Sequence, residues 1–329
     1  MTARRHGTVL ALCVLAALAA PVLAQQKKKT PPPAPPPAPS AAANVDNGKA
    51  DLAYGAFQRG QFLTAVAEAS KRAQQNDPAA MTLLGLIYAQ GLGVAQDDDK
   101  AAQWYKQAAA LGDRDAMFAL AMFNLEGRAG ARNPDEAARL LAASAKLGHA
   151  PAAYDLGLLY LQGQQFPQDF ARAAELFQQA ADAGNADAQY ALATMYKEGR
   201  GVPKDLAVTA RLMGLASVAG NLDAMVEYAI AQFNGSGIAK NEAAAAQLFL
   251  KAAHRGSPIA QDRLARILMA GRGMPANATE AVKWHIVAKA ANAGDPELDV
   301  FAAQQSPEVR EAAEKAANKW LSTRAALRP

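Results

Sequence analysis

The feature that most constrains this chain is an internal repeat. Gly91, Gly127, Gly163, Gly199, Gly235 and Gly271 each stand 36 residues apart. Ala80, Ala116, Ala152, Ala188, Ala224 and Ala260 keep the same interval. A third column is Gly112, Gly148, Gly184, Gly220 and Gly256, and a fourth is Asp97, Asn133, Asp169, Asp205, Asn241 and Asn277. Four columns in one register, three of them over six copies and one over five, require six copies of one supersecondary unit. A unit this short cannot bury its apolar side alone, so the units must stack.

The columns predict what the unit is. Leu84, Leu120, Leu156, Leu192, Tyr228 and Leu264 fall four residues after the Ala column, and the next residue is always Gly or Ala. A large side chain beside a small one, at helical spacing, makes a ridge next to a notch where a second helix can sit close. This first helix ends at the Gly column, where a left-handed backbone is needed. A short loop follows, clearest in Gly199-Arg200-Gly201-Val202-Pro203-Lys204-Asp205. The Asp/Asn column then caps a second helix by accepting a backbone N–H. That helix carries Ala101, Ala137, Ala173, Thr209, Ala245 and Ala281, each followed three residues later by Trp104, Leu140, Leu176, Leu212, Leu248 and Trp284. Apolar residues make up 51% of the chain and aromatics only 6%, with Ala very common and no Val/Ile/Thr-rich strand runs. That composition supports a large core and an all-α fold.

Taken together, Leu84-Gly85, Tyr88, Gly91-Leu92-Gly93-Val94, Asp97, Lys100-Ala101, Trp104-Tyr105-Lys106, Ala108-Ala109 and Gly112 resemble the Sel-1-like repeat, a relative of the tetratricopeptide repeat. The resemblance covers residues 79–295. It departs at Asn124 and Ala129 in copy two, at Gln165 in copy three, and in the longer copy six, which closes at Gly294. Residues 48–78 resemble one degenerate tetratricopeptide-like unit, through Ala53, a tight turn at Gly60-Gln61, and Ala65. The resemblance implies a right-handed α-solenoid of helix-loop-helix repeats that acts as a scaffold or adaptor for protein contact. Residues 296–329 read as a helical cap, started by Ser306-Pro307-Glu308, with Val309, Ala313, Ala316 and Trp320 as its apolar stripe.

The first residues read as a targeting segment. Arg4 and Arg5 precede an apolar run, Val9 to Leu23, and Val22-Leu23-Ala24 offers a signal-peptidase site after Ala24. Retention as an anchor is the alternative; Pro21 interrupts the run, and Lys27, Lys28 and Lys29 lie just beyond it. The expected location is periplasmic or secreted. Residues after Arg4-Arg5 do not continue a twin-arginine motif, and Cys13 lies too early, and behind Leu12, for lipidation. Residues 25–47 are a Lys/Pro-rich linker, and Thr30 to Ser40 favours extended polyproline conformation. Lys27–Lys29 suits a peripheral contact with the cell wall or a membrane surface.

Chemistry-bearing patterns are scarce. Cys13 is the only cysteine, so a chain cleaved after Ala24 has no disulfide, no thiol nucleophile and no thiolate ligand. Cleavage would lower the net charge from +4 to +2, and no basic stripe with aromatics suggests nucleic acid. His149, His254 and His285 share no metal-ligand spacing. Asp97-Asp98-Asp99 suits a helix N-terminus. No catalytic residues, metal or cofactor are assigned.

One face remains for function. Two, six and nine residues after the Ala column, successive copies read Thr82/Leu86/Ala89, Phe118/Met122/Leu125, Tyr154/Leu158/Leu161, Tyr190/Thr194/Lys197, Val226/Ile230/Phe233 and Asp262/Arg266/Met269. In tetratricopeptide relatives the matching face lines the concave groove. Phe118, Met122, Tyr154, Leu158, Tyr190, Ile230 and Phe233 are therefore the candidate contacts for a protein or peptide partner in the cell envelope. Packing between neighbouring first helices is the competing explanation. A cell-wall structural role, or β-lactam binding or hydrolysis as ascribed to cysteine-rich secreted relatives, are the alternatives to a binding scaffold.

Overall fold

The structure, a computed structural model, describes residues 51–128, 130–163 and 166–326. The predicted signal, the Lys/Pro-rich linker, Ala129 and Gln165 lie outside the described residues. Every regular element among the described residues is an α-helix. The first pair is α1 (Leu52–Gln58) and α2 (Phe62–Ala73). The six repeats follow as α3 (Pro78–Gln90) with α4 (Asp98–Ala110), α5 (Arg114–Glu126) with α6 (Pro134–Lys146), and α7 (Ala150–Gln162) with α8 (Phe170–Asp182). Then come α9 (Ala186–Glu198) with α10 (Leu206–Val218), α11 (Leu222–Asn234) with α12 (Glu242–His254), and α13 (Pro258–Ala270) with α14 (Ala278–Ala290). The chain closes with α15 (Pro296–Ala303) and α16 (Pro307–Ala326). Consecutive helices from α1 through α15 pack on each other, and α16 packs back on α14, which makes an α-solenoid. No helix among the described residues is long and apolar enough to cross a membrane.

The repeat columns do what their chemistry demands. The Ala column is buried in every copy. The first Gly column adopts φ between 66° at Gly91 and 77° at Gly235, stopping each first helix in the left-handed region. The Asp/Asn column caps each second helix; Asp97 Oδ1, for example, accepts the Lys100 N–H at 2.9 Å. A cap column for the first helices was not read from sequence: Asp77, Asp113, His149, Asn185, Asn221 and Ser257 each accept a backbone N–H.

The small residue after each ridge leucine receives a side chain from the paired second helix. A Cβ added to Gly85 would stand 2.5 Å from the Tyr105 ring, and one on Gly157 would stand 2.7 Å from the Phe177 ring. The fully inserted column is thus one residue beyond the Trp104 column: Tyr105, Leu141, Phe177, Met213, Phe249 and His285 are buried. Trp104 and Leu248 themselves are only half-buried, while Leu140, Leu176, Leu212 and Trp284 are buried.

At the last repeat, His285 holds the place of a core aromatic, and its Nε2 lies 2.8 Å from Asp299 of α15. Trp284 is fully buried and meets Trp320 of α16 edge-on at 5.7 Å. Ala313 and Ala317 are the buried residues of that cap helix; Val309, Ala316 and Trp320 are half-buried. The stripe predicted from sequence therefore lies on the packed side, rotated slightly toward Ala317.

The second loop glycine joins one unit to the previous one. A Cβ on Gly201 would collide with the Phe170 carbonyl, one on Gly237 with the Leu206 carbonyl, and one on Gly273 with the Glu242 carbonyl. Each loop thus rests directly on the first turn of the preceding second helix. Gly237→Ala combines a strained φ with a backbone collision and should lower stability by about 2–4 kcal/mol. Gly184→Ala has a similar positive φ but open space around its Cβ, and should cost only about 1 kcal/mol. Urea unfolding of the two variants, followed by circular dichroism, checks the difference.

Candidate functional site: the exposed face of the first helices

Consecutive first helices are neighbours, and their polar links show it. Arg114 of α5 donates to the Leu147 carbonyl at 3.1 Å, just before α7. His149, the cap of α7, places Nε2 3.1 Å from Asp115 of α5. Asn221 donates to Asp187 at 2.8 Å, and Lys197 Nζ lies 2.7 Å from Glu227, which ties α9 to α11.

All seven predicted contact residues are half-buried. Phe118 and Met122 on α5, Tyr154 and Leu158 on α7, and Tyr190 on α9 pack against one stretch of core. Ile230 and Phe233 on α11 pack against a second. Packing and outward display therefore coexist in the same side chains. The strongest grouping is at α5 and α7. There the Phe118 ring lies 4.8 Å from the His149 ring, and Tyr154 lies 5.6 Å from the Phe177 ring beneath it. Phe233 is partly covered, since the Arg272 guanidinium sits 4.4 Å over its ring.

Charge on this face is specific. Burial pushes the Tyr154 hydroxyl up to about 12, and the nearby carboxylates of Asp187 and Asp155 add to the shift. Burial likewise pushes Tyr190 up to about 12, with Asp223, Glu227 and Glu198 contributing. Both are neutral hydroxyls at physiological pH. His149 is fixed by two bonds of opposite sense: its Nδ1 accepts the Ala152 N–H at 3.1 Å, so its Nε2–H is the group that faces Asp115.

Asp155, on α7, was not singled out from sequence. Burial pushes its carboxyl up to about 6, and the adjacent His149 opposes the rise. No hydrogen bond or ion pair to it is made by the described residues. Its only sequence signal is an acid at a position that is Leu83, Ala119 or Ala191 in neighbouring copies.

No group of three or more His, Cys, Asp or Glu side chains able to hold a metal occurs among the described residues. A second apolar surface lies on α10, where Leu206, Leu215 and Val218 are exposed. Beside it a cleft of about 470 Å³ is lined by Ala210, Arg211, Gly214 and Tyr228, among others. Sequence reading missed this surface because α10 reads as an ordinary buried stripe.

The sequence matches the Sel1 repeat family over residues 78–113, 114–149, 150–185, 186–220, 222–257 and 258–295. The chain belongs to the Sel1 repeat family. Among solved structures it is similar to a Sel1 repeat protein from Oxalobacter formigenes, at 26% identity and a TM-score of 0.61, covering 73% of this chain and 97% of that one. It also shares its fold with a protective antigen of uropathogenic Escherichia coli that displays an SLR fold, at 23% identity and a TM-score of 0.55, covering 82% of this chain and 67% of that one. No curated protein matches the chain. Sel1 repeat proteins generally act as non-catalytic scaffolds that bind other proteins.

Asp155 also predicts a stability profile. Its folded pKa of about 6 exceeds the ordinary value of 3.8. The folded state therefore holds the extra proton between those values, and stability falls as pH rises through that window. Asp155→Asn should remove this slope and stabilise the protein at pH 7.5 by about 1–2 kcal/mol, a figure reduced from the full shift for partial solvent screening. Urea midpoints of both proteins at pH 4.5 and 7.5 check it, with the difference markedly larger at the higher pH.

Proposed function

We propose that this Sel1 repeat protein is an exported scaffold that binds a protein or peptide partner of the cell envelope through the face of α5, α7, α9 and α11. The observation that carries this reading is the half-buried aromatic and aliphatic series Phe118, Met122, Tyr154, Leu158 and Tyr190 on consecutive first helices. The core needs only the inner part of each ring. The outward part is rigid apolar area of the kind that supplies interface energy. Other first helices show that the solenoid tolerates polar residues there, with Thr82 on α3 and Asp262 and Arg266 on α13.

The N-terminal sequence supports export, through Arg4-Arg5, the run from Val9 to Leu23, and the site after Ala24. On this reading the mature chain carries its solenoid on a proline-rich spacer in the periplasm.

Phe118→Ala with Tyr154→Ala tests the surface. Crosslinked complexes recovered from the envelope of producing cells should fall at least tenfold, with the helical signal and melting cooperativity retained. Undiminished recovery of the same partner would remove these residues from the interface. N-terminal sequencing of the recovered protein should begin at Gln25; a chain beginning at Met1 or Thr2 would contradict cleavage.

A further inference from the structure

This inference rests on the first-helix face being the partner-binding surface, and it concerns what kind of segment that face accepts. On α11, Glu227 meets Lys197 of α9 at 2.7 Å. Two units earlier, the same two positions are occupied by Asp155 and Leu125. The acid is kept and the cation is gone. Nothing else in the described structure replaces it. His149, the nearby ring, is already committed to Asp115 and to the Ala152 N–H. The result is a half-buried carboxylate at a position where the repeat two units later supplies a lysine and this unit supplies Leu125.

We propose that Asp155 receives a lysine or arginine side chain from an extended segment of the partner, in the place that Lys197 fills two units later. Phe118, Met122, Leu125 and Tyr154 supply apolar surface on the same two helices, with the Phe118 ring 4.8 Å from the His149 ring.

Three observations support this assignment. The helices that would meet the segment are negative, although the chain is positive overall: α5, α7, α9 and α11 carry seven acidic and two basic residues. Glu126 and Glu198 are paired with Arg128 and Arg200 just past their helices, which leaves five acids against two bases, an excess that favours basic segments over acidic ones. The carboxylate is also costly to the free protein, because burial without a counter-charge disfavours its ionised form. A group held at a cost to stability and relieved by a ligand's cation is characteristic of a binding site. Finally, the half-buried Phe118 and Tyr154 rings on these two helices can lie against the aliphatic stem of a lysine or the plane of an arginine.

The test uses fluorescence anisotropy with three labelled peptides of Leu, Ala and Ser that differ only at the central residue, which is Lys, Gln or Glu. The purified chain should bind the Lys peptide about tenfold more tightly than the Gln peptide, with the Glu peptide weakest. Asp155→Asn should remove the Lys advantage and leave the Gln peptide unchanged. Leu125→Lys rebuilds within the chain the pair seen at Lys197 and Glu227, so it should also remove the Lys advantage while raising the melting temperature. Equal binding of the three peptides by the unmodified chain would overturn the role of Asp155 while keeping the surface. A Lys preference that survives Asp155→Asn would overturn it equally. Binding of none of the peptides at millimolar concentration would reject the surface itself, and this inference with it.

Discussion

The structure depends on close approach of the two helices within each unit. Gly85 and Gly157 leave no room for even a methyl group beneath Tyr105 and Phe177, and Ala121, Ala193, Ala229 and Ala265 fill the same position elsewhere. Large-on-small contact of this kind lets one side of each first helix satisfy the core. The opposite side then carries only partial packing, as at Phe118, Tyr154 and Tyr190. Loop glycines carry the same principle between units, since Gly201, Gly237 and Gly273 lie against bare backbone of the preceding unit. Both contacts depend on a side chain no larger than a methyl group, so the six copies vary more at outward positions. That division allows one face to become aromatic and acidic in the middle copies without changing the fold.

Much of this was legible in the sequence because it was periodic. The Ala, Gly and Asp/Asn columns each perform one geometric task, and six repetitions of the same residue type announce it. The first-helix caps escaped notice because Asp, His, Asn and Ser share an acceptor atom but not an identity. His149 is the clearest example: its Nδ1 takes the role of a carboxylate oxygen. The inserted column at Tyr105, Phe177 and Phe249 was displaced by one residue from the Trp104 column for a related reason. Two adjacent large residues fit the helical period equally well, and only the position of the notch decides between them.

The site was legible in outline and incomplete in chemistry. Periodicity placed Phe118, Tyr154 and Tyr190 on one face, and the structure leaves them half-buried there. It did not find Asp155, because the meaning of that acid depends on its neighbour across the units. Lys197 and Glu227 are close only through stacking, and the contrast with Leu125 and Asp155 emerges once that contact is known. The apolar face of α10 escaped for the opposite reason. Leu206, Leu215 and Val218 belong to an apolar helix whose pattern alone does not separate buried from exposed positions.

Two surfaces therefore compete for a partner, the first-helix face and the apolar face of α10. Photo-crosslinking from benzoylphenylalanine placed singly at Met122 or at Leu215, in cells producing the full chain, distinguishes them most directly. A discrete partner adduct is expected from Met122 and none from Leu215. An adduct from Leu215 with none from Met122 would contradict binding at the first helices and move the binding surface to α10.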